Sequence, residues 1–158
     1  MTPAQAEALR QLVETQRIAA LGTLHDGEPW VSMVPFALLP GAAGFVVHVS
    51  ALASHTADMS ADPRVSLLIV AAERDGAPPQ ARARVTVRGR AEQLAHDSSE
   101  HAAAREAYLA RFPQAAGILG LGDFSFFVIR PLAARVVGGF AQAETLTADQ
   151  LVAALVGA

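Results

Sequence analysis

The sequence predicts a mainly β protein with α elements (α+β), whose antiparallel sheet of six or so strands closes into a barrel flanked by helices. Three observations carry this. β-rich runs succeed one another across tight turns, as antiparallel hairpins do. Arg82 to Leu94 alternates, with Arg82, Arg84, Thr86, Arg88 and Arg90 on one face and Ala83, Val85, Val87 and Ala91 on the other. A sheet of that many strands removes its exposed edges by closing.

The elements follow in order. Thr2 caps a helix, with Pro3 at its first position and Gln5 reaching back. Leu9, Leu12 and Val13 recur at helical spacing, so the helix runs to about Gln16. Arg17 to Leu24 and Glu28 to Leu39 read as strands, joined by His25-Asp26-Gly27 with the Asp-Gly signature of a tight hairpin. Pro40 to Gly44 turns the chain into a strand from Phe45 to Ser50. Ser54 to Ser60 is a short helix with Ser54 as cap, ended by Pro63. Arg64 to Ala72 is β-rich, and Glu73 to Gln80 is a loop holding Asp75-Gly76 and Pro78-Pro79. Asp97 and Glu100 open a helix that runs to about Arg111. Asp123 to Val137 is apolar on both faces, as a central strand is. Thr147 and Gln150 form a second capping box and open the last helix. No repeat or boundary interrupts residues 1–158, which read as one domain.

Composition narrows the chemistry. Hydrophobic residues make up 52% and charged residues 17%, which excludes a disordered chain. A formal net charge of -3 argues against a nucleic-acid binder. There is no cysteine, so thiolate nucleophiles and Cys-ligated metals are excluded. All positively charged side chains are arginine, so Schiff-base chemistry is excluded too. Redox or covalent chemistry is left to a bound cofactor. The N-terminus lacks a basic segment followed by an apolar one, and no apolar run reaches the length of a membrane span. The expected compartment is the cytoplasm.

Candidate binding residues concentrate in Val31 to Met59. Two strands deliver the chain to a helix start at Ser54-His55-Thr56, where free backbone N–H groups, two hydroxyls and an imidazole could hold a phosphate. The simpler reading of the same residues is an ordinary helix cap. His96 and His101 are off the i, i+4 spacing of paired ligands, so no metal site is expected there. Gly117 to Gly122 is glycine-rich but follows a helix and reads as a loop. Trp30 and Phe36 read as packing or dimer contacts, and Met33 as core-facing. Of the arginine row, all but Arg84 reads as solvated.

Several segments occur together in one order: Ser32-Met33-Val34-Pro35-Phe36, then His48 to Thr56, then Asp62-Pro63-Arg64-Val65-Ser66-Leu67, then Ala83 to Glu92, then Asp123-Phe124 and Val137 to Ala143. This set resembles the pyridoxamine-phosphate-oxidase-like family, in particular its haem-utilisation branch. The resemblance implies a split β-barrel with FMN in a crevice between two subunits, hence a homodimer. It implies that Ser32, Met33, Val34 and Pro35 line the isoalloxazine edge. It further implies that His48, Val49 and Ser50 flank the ribityl chain, that Ser54, His55 and Thr56 hold the phosphate, and that Arg84 reaches the flavin. Phe140 would approach the partner's flavin or pack in the core. The chain lacks the basic phosphate residues and the C-terminal Arg-His-Arg signature of pyridoxamine phosphate oxidase. Its last histidine is His101, whereas the haem-degrading members carry a haem-ligating histidine in a further C-terminal domain. The expected function is therefore an FMN-binding flavoprotein, an oxidoreductase whose flavin carries the redox chemistry. The alternatives are a non-catalytic flavin- or haem-binding module and a cofactor-free structural dimer.

Overall fold

The computed structural model describes residues 1–139 and 142–157. Helix α1 (Pro3–Thr15) has the capping box read from Thr2 and Gln5. A hairpin of β1 (Ile18–His25) and β2 (Glu28–Pro35) follows, and its turn places Asp26 and Gly27 at φ 51° and 85°. Glycine takes the larger angle without a Cβ penalty. The predicted second strand breaks at Phe36, and its remainder is the two-residue β3 (Ala37–Leu38). Then come β4 (Phe45–Ser50), α2 (Ser54–Ala61), β5 (Arg64–Val70), β6 (Arg84–Gln93) and α3 (Ser99–Arg111). The long β7 (Phe124–Gly139), β8 (Gln142–Thr147) and α4 (Ala148–Val156) complete the chain.

The strand order is β2-β1-β5-β6-β7-β4-β3, with β8 paired to β7. Every pairing is antiparallel. β2 and β3 stand at opposite ends of that order, yet only Phe36 separates them in sequence. The chain itself therefore brings the two edges together and curls the sheet into a split barrel. The sheet has eight strands where six were expected. The extra ones are β3, cut off where the chain bends at Phe36, and β8, whose sequence QAETLT carries little apolar alternation.

Alternation sorts the side chains into two layers. Leu21, Val34, Phe36, Phe45, Val47, Leu67, Ile69, Val85, Val87, Phe127 and Ile129 fill the barrel, and α1 and α4 add Leu9, Val13 and Leu151. On the outer surface, Val46, Phe126 and Val128 are buried beneath Ala104 and Tyr108 of α3 and Phe112 just after it. Gly89 is required by close approach: β6 shifts register against β7 between Arg88 and Gly89, and a Cβ at 89 would lie 2.5 Å from the Arg130 carbonyl oxygen.

Two caps differ from the sequence reading. Ser98, not Asp97, caps α3 and accepts the His101 N–H. Ala53 takes the cap position of α2, so Ser54 is its first helical residue and makes no cap bond. Among the described residues no helix is long and apolar enough to cross a membrane.

Candidate functional site

The outer face of β1, β2, β5 and β6 has no helix packed over it among the described residues. The ladder registers place its side chains in rows. One row runs Met33, Ala20, Leu68, Thr86, Arg135 and Thr145 from β2 across to β8. The next runs Val31, Gly22, Ser66, Arg88 and Ala133. On the other side of the first, Ile18 pairs with Pro35, and Val70 with Arg84. Apart from Ser66, the β2–β1–β5 half of these rows is apolar, and the β6–β7 half carries Arg88 and Arg135. Val31 is 68% exposed and Met33 60%, with Ile18 and Leu132 about half exposed. Met33 therefore points out of the barrel and not into it as the sequence reading had it, because Ser32 and Val34 share the inward parity of Leu21 and Ala19. Arg135 donates to the Thr145 hydroxyl at 2.9 Å. Among the described residues neither Arg88 nor Arg90 pairs with a carboxylate.

The positions expected to hold a flavin do not converge on one surface. Met33 and Pro35 lie on the outer face, while Val34 and Val49 are core residues and the Ser32 hydroxyl is buried without a partner. His48 is 8% exposed, beneath α3, with its ring 5.0 Å from Phe124, 4.5 Å from Phe126 and 5.7 Å from Tyr108. Burial, with help from the nearby His101, pushes its pKa down to about 4, so the ring is neutral, and its Nδ1 has no partner. The Ser50 carbonyl accepts the Thr56 hydroxyl at 2.6 Å, and the Ser50 hydroxyl donates to Asp123. Ser54 is exposed and His55 half-buried. Arg84 donates to the carbonyls of Arg82 and Gln80 at 3.0 and 3.3 Å. Phe140 lies outside the described residues. The rings of His96 and His101 are 4.8 Å apart, but no group of three His, Cys, Asp or Glu able to hold a metal occurs among the described residues.

The structure also builds a polar cluster that spacing could not reveal. Asp58 of α2 is only 5% exposed. Its carboxylate accepts the Thr23 hydroxyl at 2.9 Å and lies 2.7 Å from His25 Nδ1. Trp30 packs on the His25 ring at 5.6 Å. Burial alone would raise the Asp58 pKa, but the hydrogen bonds from His25 and Thr23 outweigh it and the net shift is downward. The same hydrogen bond and the Asp58 charge raise the pKa of His25.

These shifts set a pH window. The raised histidine stabilises the fold fully below its ordinary 6.5, and the contribution fades as pH rises through the folded value. The lowered aspartate stabilises fully above its ordinary 3.8, and the contribution is lost as pH falls through the folded value. The pair therefore contributes most between about pH 4 and 6.5. In urea denaturation, His25→Ala is expected to cost more at pH 5 than at pH 8. An equal cost at both would show that the pair carries no net charge linkage.

Comparison with known proteins places this architecture. The family model described as Pyridoxamine 5'-phosphate oxidase matches residues 5–138. The chain belongs to that family. Within it, the chain is 39% identical over 119 residues to the chloroplast heme oxygenase HOZ of Arabidopsis thaliana, covering 75% of this chain and 35% of HOZ. It is 28% identical over 149 residues to heme oxygenase HutZ of Vibrio cholerae, covering 94% of this chain and 82% of HutZ. Its structure superposes on a heme binding protein from Mycobacterium smegmatis with TM-score 0.86 and 36% identity, covering 97% of this chain and 62% of that one. The chain thus spans about a third of HOZ and under two thirds of the mycobacterial protein.

These relatives overturn the expectation of an FMN oxidoreductase. The family branch they define is one of haem proteins. Within one subunit the residues assigned to the flavin are divided between core, outer face and the space beneath α3, and Arg84 and Thr56 donate to backbone carbonyls.

Proposed function

We propose that this protein binds haem on the outer sheet face, and that two copies of the chain meet there. A porphyrin needs apolar surface for its macrocycle and cations for its two propionates. Both are present in the rows described: Val31, Met33, Ile18 and Leu68 supply the first, and Arg88 and Arg135 the second. Guanidinium groups suit carboxylates because they donate two parallel hydrogen bonds. The single observation that carries this reading is that one uncovered face sets apolar side chains of β1, β2 and β5 beside Arg88 and Arg135 of β6 and β7. The haem relatives support it. Bound haem would supply the iron chemistry, and the protein would supply orientation and exclusion of water. The two curated relatives are haem oxygenases, so the activity class that follows from the reading is haem degradation.

A homodimer accounts for the same face. Exposed apolar side chains on adjacent strands are costly in water, and a second copy covers them symmetrically. Stable interfaces of this kind bury about 2,000 Å² or more.

Titration with haemin, followed by the Soret band, tests the reading. Wild type is expected to show saturable uptake. Arg88→Glu with Arg135→Glu is expected to weaken it about a hundredfold or more, since each charge-assisted hydrogen bond contributes about 1.5–3 kcal/mol. Absence of saturable uptake by wild type, or unchanged affinity in the double variant, would overturn it.

A further inference from the structure

The side chains that ligate haem iron are few: histidine, methionine, cysteine and tyrosine. This chain has no cysteine, and its one tyrosine, Tyr108, is buried in α3 against Phe112 and Phe126. None of its histidines stands on the uncovered face of β1, β2, β5 and β6. His25 shares the inward parity of Leu21 and Thr23 and is engaged by Asp58. His48 is enclosed by Phe124, Phe126 and Tyr108 beneath α3, and His55 lies on α2 with Asp58. His101 is in α3, with the His96 ring 4.8 Å from its own. Of the methionines, Met59 is a core residue and Met1 is tied to Glu144 through its ammonium group. Met33 stands on the face and is 60% exposed.

Its surroundings leave the sulfur room to act. Met33 on β2 stands opposite Ala20 of β1, with Leu68 next across on β5. In the adjoining row Val31 stands opposite Gly22, followed by Ser66. Gly22 keeps that floor low, because a Cβ there would lie 2.6 Å from the Ser66 hydroxyl oxygen. The methionine side chain is unbranched and flexible, so its sulfur can turn over a floor that rises no higher than a methyl group on β1. Arg88 closes the Val31 row three strands from β2, about 14 Å away by strand spacing. A soft donor and a cation thus flank one low strip of sheet. The uncharged polar groups of these rows, the Ser66, Thr86 and Thr145 hydroxyls, are not haem ligands.

We infer that Met33 is the axial ligand of the haem iron through its thioether sulfur. This inference rests on the haem-binding reading above. A thioether is soft and uncharged, so it favours ferrous over ferric iron and raises the reduction potential.

The test uses the full chain, haemin and iron-free protoporphyrin IX, with absorption, magnetic circular dichroism and potentiometric reduction. Wild type is expected to show the sulfur-to-iron charge-transfer band of a thioether-ligated ferric haem. Met33→Leu keeps the volume and the apolar surface, so fold and dimer persist. It must lose the band, lower the reduction potential and bind haem in the ferrous state about tenfold more weakly. Met33→His offers an imidazole at the same position and is expected to replace the band with the spectrum of a nitrogen-ligated haem. Protoporphyrin IX, which has no iron to ligate, should bind wild type and Met33→Leu alike. A wild-type complex without the sulfur band, or a Met33→Leu complex that keeps the wild-type band and potential, overturns the assignment and leaves haem binding standing. Failure of wild type to take up either porphyrin overturns both.

Discussion

Phe45→Ala is expected to destabilise the protein by about 3–5 kcal/mol, the usual cost of a phenyl-sized cavity in a closed core. Phe45 is fully buried on β4, and its ring lies 6.0 Å from that of Phe36, the residue where the chain crosses from one sheet edge to the other. Neighbouring strands are held by their ladders on both sides, so the barrel cannot collapse into the space. At about 2–4 °C per kcal/mol for a chain of this size, the melting temperature should fall by roughly 6–20 °C. Phe45→Leu should cost about 1.5 kcal/mol or less, because most of the volume stays. Thermal and urea denaturation check both. A loss below about 1 kcal/mol for the alanine variant would show that the core repacks around the gap.

Val31→Arg is expected to have the largest effect on assembly and on haem together. Val31 is 68% exposed, so the isolated subunit loses little and the variant should fold with a near-normal melting temperature. In a two-fold dimer the substitution appears twice and sets two uncompensated cations in an apolar contact, which costs several kcal/mol. The dimer dissociation constant should rise by about a hundredfold or more, leaving monomer by light scattering at micromolar concentration. Haemin uptake should fall with it, because the apolar half of the face is lost. A folded Val31→Arg variant that remains dimeric would place the interface elsewhere on the molecule.

Much of this architecture is legible in the residues. The capping boxes at Thr2 and Thr147 and the Asp26-Gly27 turn are local and form as read, and the alternation read over Arg82 to Leu94 forms a strand from Arg84 to Gln93. The site is less legible, for reasons that can be named. β2 reads EPWVSMVP, apolar on both faces, because one face fills the barrel and the other is uncovered. Hydrophobicity cannot say which is which, so the pattern alone points Met33 inward while the structure turns it outward. β8 has a single fully buried apolar side chain, Leu146, and so presents no strong periodicity. His25 and Asp58 are 33 residues apart on different elements, and nothing in their spacing announces a 2.7 Å contact.

The sequence by itself determined the local structures and the chemistry that is excluded. Turn residues and caps act over three or four positions, and the absence of cysteine and lysine holds whatever the fold. It also determined the family, because the order of short segments survives where no single one is decisive. Only the tertiary structure decided which face of β2 is buried, that β1 pairs with β5 and β4 with β7, and that α2 carries Asp58 to His25. The reason is that a period of two assigns residues to faces without naming the partner strand or the inner side. Those choices are made when the whole chain buries its apolar surface at once, and the arginine-edged face is what that burial leaves outside.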